Sequence, residues 1–371
     1  ICTANPWLAG RLMKVAGSKR LELAYPSEVG QAKVNRLFNP SEKSPPVVSS
    51  RMKFYDLCSS IGGSACEVPS GDKCVGKADT PLVALSIVAD ADKPTERFAV
   101  IFSVSHVIAD GFTYYKLLSM LSSDGSVIAL RPVRKDSIAA DIDRAVGQPV
   151  SSFLTSTCMI CNFVCSMVCS TTKPDIQAFF VDAARVKEAK EKVVITETVR
   201  YVSTNDVITS AFARATDSQV LLMPINFRGR LATYTDSDAG NYEGALAFVR
   251  EDCSSPSLIR GTLNSGPTTF RRATEIALPT GCSTYNARLC MVTNWVFPFY
   301  KGFKIPGCVQ MLHTPHCNVK MVPFNLTVVY QPTPGQTAVA IFSRKIPTDV
   351  FTGQMPLGKP LLNAEDAAPK T

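Results

Sequence analysis

The segment that most limits the fold is 81–121, where the hydrophobic period changes from that of strands to that of a helix. PLVALSIVAD (81–90) and RFAVIFSVS (97–105) are apolar, rich in β-branched residues and separated by the polar ADKPTE. These runs predict two paired strands, the second one buried. FTYYKLLSML (112–121) carries large apolar residues at 114, 117, 118 and 121, which is helical spacing. The segment therefore predicts a strand–strand–helix unit of an α/β protein.

His106 stands between the second strand and this helix, and it is one of three histidines in the chain. A histidine at the end of a rigid strand can be directed into a cleft, where it is a suitable base near neutral pH. Asp110 would orient His106 directly or fix the loop that presents it. Gly111 allows a positive φ or a close approach to another group. The structural alternative is that Asp110 is an N-cap and His106 a satisfied strand-end histidine, and the spacing alone favours it.

Composition narrows the class of protein. A chain of 371 residues favours two domains over one core. Apolar residues make up 46% and charged residues 19%, as in a globular protein. The net charge of +8 is spread along the chain without a block of Lys or Arg, so no nucleic-acid partner is predicted. This charge is compatible with a small polyanionic ligand.

The thirteen cysteines are odd in number and irregular in spacing, which argues against a full disulfide framework. Buried thiols in a reducing intracellular compartment, the cytoplasm or an organelle, are the favoured interpretation.

The second half of the chain has its own series of elements. The patterns predict helices at 181–193 and 203–215, a strand at 219–231, and closing strands in VQMLHTP, FNLTVVYQP and TAVAIFS within 309–343. The resulting domain prediction is a first lobe at 1–150, a crossover at 151–180 and a second lobe at 181–371.

The segment 151–172 within the crossover has no charged residue over 22 positions. Its cysteines at 158, 161, 165 and 169 fall on one stripe of a helix. Such a stripe extends over about 16 Å, which is too long for one metal ion. We interpret 151–172 as a buried or partner-facing helix, with membrane contact as the second possibility.

A second loose cluster, His313, His316 and Cys317 with Cys308, lacks a paired CxxC and predicts a loop. No metal cofactor is therefore predicted.

Several motifs together resemble one family. SHVIADG is similar to the HxxxDG signature of the BAHD and chloramphenicol acetyltransferase-like, coenzyme A-dependent acyltransferases. Five further segments resemble motifs of this family and follow one another in the family's order. They are NPWLAGRL (5–12), VSTNDVITSAFARA (202–215), NFRGRL (226–231), AGNYEG (239–244) and VTNWVFPFY (292–300).

This resemblance implies an α/β fold of two chloramphenicol acetyltransferase-like lobes, with mixed sheets flanked by helices and a channel at the lobe interface. An acyl-CoA thioester would be the co-substrate, and a small-molecule hydroxyl or amine the acceptor. His106 would deprotonate the acceptor, which attacks the thioester without an acyl-enzyme intermediate.

The resemblance also implies residue roles. Asp110 would be a structural brace that pairs with an arginine, either Arg228 or Arg230. Asn226, Arg228 and Arg230 would share one face of the strand 219–231. Thr293 would contact the oxyanion. Trp295 would line the acceptor pocket, and Asn226 is also placed among the substrate-binding residues.

One departure from the family keeps a second hypothesis open. KGFKIPG (301–307) replaces the family's DFGWG. With the apolar segment 151–172 offering a protein or membrane contact, this departure is also compatible with a catalytically inactive member that is a structural subunit of a larger assembly.

Overall fold

The computed structural model describes residues 1–17, 20–38, 44–77, 80–168, 174–266, 268–296, 300–316, 323–344 and 346–362. Cys169 and Cys317, which belong to the two cysteine clusters above, lie outside these ranges.

Within the described ranges the chain forms eleven strands and twelve α-helices. The strands are β1 (Arg11–Lys14), β2 (Leu21–Ala24), β3 (Val83–Ala89), β4 (Phe98–Val104), β5 (Asp175–Val181), β6 (Val220–Asn226), β7 (Glu243–Val249), β8 (Leu289–Asn294), β9 (Asn325–Tyr330), β10 (Ala338–Ser343) and β11 (Leu357–Pro360). The helices are α1 (Gln31–Leu37), α2 (Phe54–Ile61), α3 (Gly71–Cys74), α4 (Gly111–Leu121), α5 (Ile138–Val146), α6 (Gln148–Thr155), α7 (Thr157–Val168), α8 (Ala183–Glu191), α9 (Thr204–Ala215), α10 (Pro256–Leu263), α11 (Cys282–Tyr285) and α12 (Thr348–Gln354).

The predicted strand–strand–helix unit is confirmed. β3 and β4 pair antiparallel, from Val83 opposite Val104 to Ala89 opposite Phe98. α4 follows after a six-residue loop, and the Asp110 side chain caps it by accepting from the Thr113 amide. The strand pair and the cap together fix both ends of the loop that carries His106.

Strands β5 to β11 form one mixed sheet in the order β11-β5-β10-β9-β8-β6-β7. β8 runs parallel to its neighbours β6 and β9, and the other pairs are antiparallel. Alternate residues of β10 belong to two different hydrophobic clusters, Val339 and Ile341 to one and Ala338, Ala340 and Phe342 to the other. Burial on both faces explains why these strands are continuous apolar runs.

The large sheet and the β3–β4–α4 unit meet at the edge strand β7. The His106 loop follows β4, and its Asp110 amide donates to the carbonyl of Gly240, just before β7 begins. The site therefore lies where the first part of the chain contacts the edge of the large sheet.

Of the predicted strands, one is shorter in the structure than predicted and another does not form. The strand 219–231 ends at Asn226, and Gly229 then adopts a φ of +71° within a turn. VQMLHTP (309–315) forms no strand, because its residues pack as an irregular loop against an aromatic cluster. The helices predicted at 181–193 and 203–215 are confirmed as α8 and α9.

Candidate active site

The His106 side chain is open to solvent on a loop whose two ends are fixed. Its side chain is 74% exposed, two residues beyond the end of β4. His106 is therefore not a packed strand-end histidine, and its ring is reachable by a substrate. A cavity of about 460 Å³ lies elsewhere, against Gln219, Arg250 and Arg288. The channel through the lobe interface stays a prediction.

The Asp110 carboxylate is both a helix cap and half of a buried ion pair. One oxygen accepts from the Thr113 amide at 2.9 Å. The other accepts from the Arg228 guanidinium at 2.7 Å and from the Tyr242 amide at 2.9 Å. The side chains of Asp110 and Arg228 are 1% and 0% exposed. Asp110 is therefore both the N-cap of α4 and the brace that pairs with an arginine. In neither role does its carboxylate contact the His106 ring.

Arg228 connects the loop to the large sheet through every nitrogen of its guanidinium. Nε donates to the carbonyl of Asp238, and a terminal nitrogen donates to the carbonyl of Gly240 and to the Thr113 hydroxyl. The group also lies over the rings of Phe112 and Tyr242, at 4.7 and 4.9 Å. Hydrogen bonds and aromatic faces compensate for the burial of this cation.

Arg228 is the arginine that pairs with Asp110, and the expected sharing of one strand face with Arg230 is wrong. Because β6 ends at Asn226, the turn that follows directs Arg230 away, over the ring of Phe270 at 5.4 Å. Asn226 lies beside Arg228 and accepts from its guanidinium at 3.0 Å. The side-chain oxygen of Asn226 thus supports the brace, and a role in substrate binding stays a prediction.

Two further residues beside His106 come from the segment that enters β7. The Asn241 side-chain amide donates to the backbone carbonyl of His106 at 2.7 Å. The Glu243 carboxylate lies 3.5 Å from Nε2 of His106. Both residues lie in AGNYEG, a segment that resembles a family motif, but sequence patterns alone do not place them at the histidine.

Glu243 is the titratable group near His106 with a shifted pKa. Burial raises the pKa of Glu243 above its ordinary value, and the negative charge of Asp110 adds to this. The positive charges of His106 and Arg228 act in the opposite direction. A carboxylate in this environment is costly to ionise, as is common at functional sites.

Thr293 lies near the end of β8, and Trp295 directly follows this strand and contacts α4. The Trp295 indole donates to the Thr293 hydroxyl at 3.0 Å. The indole nitrogen would lie 3.9 Å from a methyl group built on Gly111, and the indole ring packs edge-on to Tyr115 at 6.2 Å. Gly111 begins α4 without a positive φ, so of the two possibilities given for this glycine the nearby group, the Trp295 indole, is the one that the structure fits.

Behind Trp295, His313 belongs to a half-buried aromatic cluster. Its ring stacks on Tyr300 at 4.0 Å between centroids. Nδ1 donates to the carbonyl of Gln331 at 2.8 Å, so Nε2 accepts from the Tyr115 hydroxyl at 3.2 Å. Burial lowers the pKa of His313 to about 4, although the Gln331 carbonyl opposes this shift. His313 is a neutral structural residue that ties the 300–316 loop to α4.

The lowered pKa of His313 predicts that the protein loses stability in acid. A histidine titrates near pH 6.5 in an unfolded chain, so the unfolded state takes up a proton first as the pH falls. The free energy of unfolding should fall by about 3 kcal/mol between about pH 6.5 and 4 because of His313. Urea unfolding of the wild type and His313→Gln at a series of pH values measures this. The variant should lose less stability over that interval, and equal slopes would contradict the assignment.

The described part of the uncharged segment, residues 151–168, lies in two helices, α6 and α7, which are bent by 46° at their junction. The buried residues of α7 are Met159 and Asn162, and the Asn162 amide donates to three carbonyls at the end of α11. Cys161 is exposed and Cys158 and Cys165 are partly exposed, so the cysteine stripe is not the face that α7 buries, and the partner-facing alternative stays a prediction. Over the described residues, no single helix is long and apolar enough to span a membrane, and only the bent pair meets that criterion together.

The loose cluster around His316 does not form a metal site among the described residues. His316 Nε2 lies 3.6 Å from a Glu67 carboxylate oxygen, while Cys308 is exposed on a different part of the loop. In the ranges given above, no three His, Cys, Asp or Glu side chains lie close enough together to hold an ion.

Comparison with known proteins gives a clear result at the level of the fold. Neither a family model nor a curated sequence matches the chain. The structure is similar to that of TRI101 of F. graminearum in complex with coenzyme A and T-2 mycotoxin, with 12% identity and a TM-score of 0.56, over 95% of this chain and 86% of that one. It is also similar to F. sporotrichioides TRI101 in complex with coenzyme A and T-2, with 12% identity and a TM-score of 0.50, over 97% and 89%. For vinorine synthase the identity is 13% and the TM-score 0.50, over 95% and 82%.

TRI101 and vinorine synthase are acyltransferases of the BAHD type. The resemblance drawn from the sequence motifs is therefore confirmed at the level of the fold. The chain shares its α/β fold with these structures, and its main sheet is a seven-stranded mixed sheet flanked by helices. The division into two lobes at 150 and 180 stays a prediction.

Proposed function

We propose that the protein is an acyltransferase that moves an acyl group from acyl-CoA to a hydroxyl or amine of a small molecule. The observation that carries this proposal is the exposed imidazole of His106 on a loop held by the buried Asp110–Arg228 pair. A scaffold protein needs neither an open histidine nor so rigid a support for it. The shared fold and the positive net charge, which suits a polyanionic thioester, support the same conclusion.

The proposed reaction has one covalent step. His106 takes the proton from the acceptor O–H or N–H, and the acceptor atom forms a bond to the thioester carbonyl carbon. A tetrahedral oxyanion results. When the C–S bond breaks, the imidazolium gives its proton to the CoA sulfur, and free CoA leaves. Alignment of both substrates at one ring supplies much of the acceleration, and no acyl-enzyme is needed.

Thr293 is the proposed oxyanion donor. Its hydroxyl oxygen accepts from the Trp295 indole, which leaves the hydroxyl proton available for a negatively charged oxygen. Thr293→Val should lower kcat by about 10²–10³-fold, because such donors contribute mainly in the transition state. Thr293→Ser is the matched control and should retain most of the activity. Equal rates for the Val variant and the wild type would contradict this role.

The overall function is tested by incubating the protein with short- and long-chain acyl-CoAs and a panel of hydroxyl and amine acceptors. Acylated product should be followed by mass, because the protein's thirteen cysteines interfere with detection of CoA by thiol reagents. Acyl transfer that needs both substrates would support the proposal. The absence of CoA binding by calorimetry, together with no product from any pair, would overturn it.

The second candidate is a structural subunit of a larger assembly. The observation that favours it is the outer face of α7, where Ile160, Val164 and Val168 are 55%, 50% and 77% exposed on a helix without charge. Co-purification of a stable complex without any CoA binding would favour this candidate. For this candidate, the segment 151–172 would contact a protein or a membrane. We also propose that the lobes meet the crossover at 150 and 180, and that the protein is located in a reducing intracellular compartment. Free thiols in the core at Cys253 and Cys290 support the reducing location.

A further inference from the structure

The carboxylate of Glu243 is placed at His106 by the interlocking of two segments. Gly240 accepts from the Asp110 amide, Asn241 donates to the His106 carbonyl, and the Tyr242 amide donates to the Asp110 carboxylate. The next residue, Glu243, then faces the imidazole with 3.5 Å between Oε1 and Nε2. The hydrogen bonds of these three preceding residues determine where the Glu243 carboxylate lies.

The position of Glu243 in the sheet gives a second, independent constraint. Glu243 is the first residue of β7 and stands directly opposite Asn226 of β6. Residues directly opposite in an antiparallel pair share one face of the sheet. Glu243 and Asn226 therefore lie on the same face, and Asn226 is itself bonded to Arg228. The carboxylate is thus part of the supported structure around His106 and is not a mobile surface charge.

The charges around Glu243 are His106, Asp110 and Arg228. Asp110 and Arg228 form their own buried ion pair, so their charges largely compensate each other. Within the described ranges, His106 is the only basic side chain within ion-pair distance of the Glu243 carboxylate. Glu243 is half-buried, with 31% of its side chain exposed, and its ionised form is disfavoured there. The ionised Glu243 carboxylate therefore contributes little to the free energy of folding.

We propose that Glu243 is a positioning residue for catalysis, which holds the His106 ring and supplies the counter-charge for the imidazolium formed during acyl transfer. This inference rests on the proposed function. The acceptor proton moves to the ring, Glu243 stays ionised throughout, and the proton then leaves the ring for the CoA sulfur. An opposite charge within about 4–6 Å favours the charged form of a titrating group by about tenfold or more.

Glu243→Gln keeps the shape of the side chain and removes its charge. We expect kcat to fall by roughly tenfold, while the Tm is unchanged or higher because an unfavourably buried charge is gone. A merely structural residue would give the reverse, a lower Tm with little change in kcat. Glu243→Asp retains the charge at a greater distance from the ring and should lie between the wild type and Gln.

The pH profile gives a further readout. Because the pKa of Glu243 is raised, the wild type should lose its counter-charge at a higher pH than an ordinary glutamate would, and its rate should then approach that of Glu243→Gln. The ratio of the two rates should therefore be largest at neutral pH and shrink as the pH falls. Full activity of Glu243→Gln with an unchanged profile would overturn the inference.

A measurement independent of turnover separates the two proposals. NMR of carboxyl-labelled glutamate, assigned with Glu243→Gln, follows the titration of Glu243 itself. His106→Ala removes the attraction to the imidazolium, so the pKa of Glu243 should rise further in that variant. If it rises and no acyl transfer is found, the pairing stands and the proposed function fails. If it does not change, the pairing is wrong, whatever the activity.

Discussion

His106→Ala should remove acyl transfer and leave the protein as stable as the wild type. General base catalysis contributes about 10²–10⁴ in rate, so kcat should fall toward the lower limit of detection. The Tm should not change, because the ring is 74% exposed and its removal leaves no cavity. Turnover by product mass and thermal unfolding of the same preparations measure the two effects.

The matched control for this variant is Val107→Ala. Val107 is the neighbouring residue on the same loop and is also exposed, at 41%. Its truncation disturbs the loop surface to a similar extent and should leave kcat within about twofold of the wild type. Full activity of His106→Ala would show that the histidine is not the base. A similar loss in both variants would indicate a loop effect instead.

The part of the site that the sequence predicted depends on local signals. The β3–β4 pair and the start of α4 follow from runs of apolar residues and from one capping aspartate. Each of these signals acts over a few residues, within which strand period, helix period and cap chemistry determine the conformation. The position of His106 on the connecting loop was predictable for the same reason.

The remaining part depends on contacts between distant segments. Glu243 lies 137 residues from His106, and the register between their segments is set by the Gly240 carbonyl, the Asn241 side-chain amide and the Tyr242 backbone amide. The two-residue period of the sequence predicted a strand that extends through Arg230. The turn at Gly229 does not interrupt this period, so the sequence pattern did not reveal where β6 ends. The spacing of the cysteines predicted that they lie along one side of a helix, which is α7. Which face the helix buries was decided by Asn162, whose partners lie about 120 residues away.

Asp110→Ala should destabilise the protein by roughly 3–5 kcal/mol, because it leaves the Arg228 cation buried without its partner. Loss of the cap on α4 adds about 1 kcal/mol. Activity should fall as well, since the loop carrying His106 then loses its side-chain bonds to Arg228 and to the Tyr242 amide. Urea unfolding measures the stability, and kcat is compared below the transition region, where the variant is still folded.

Asp182→Ala is the matched control for the capping contribution. Asp182 caps α8 in the same way, by accepting from the amides of Ala184 and Arg185, at a position where its side chain is partly exposed. Its loss should cost only about 1 kcal/mol. The double variant Asp110→Ala/Arg228→Met should be less destabilised than the sum of the two single variants, because it leaves neither charge alone. Equal costs for Asp110→Ala and Asp182→Ala would show that the ion pair contributes nothing, and the rigid support on which the role of His106 depends would then be wrong.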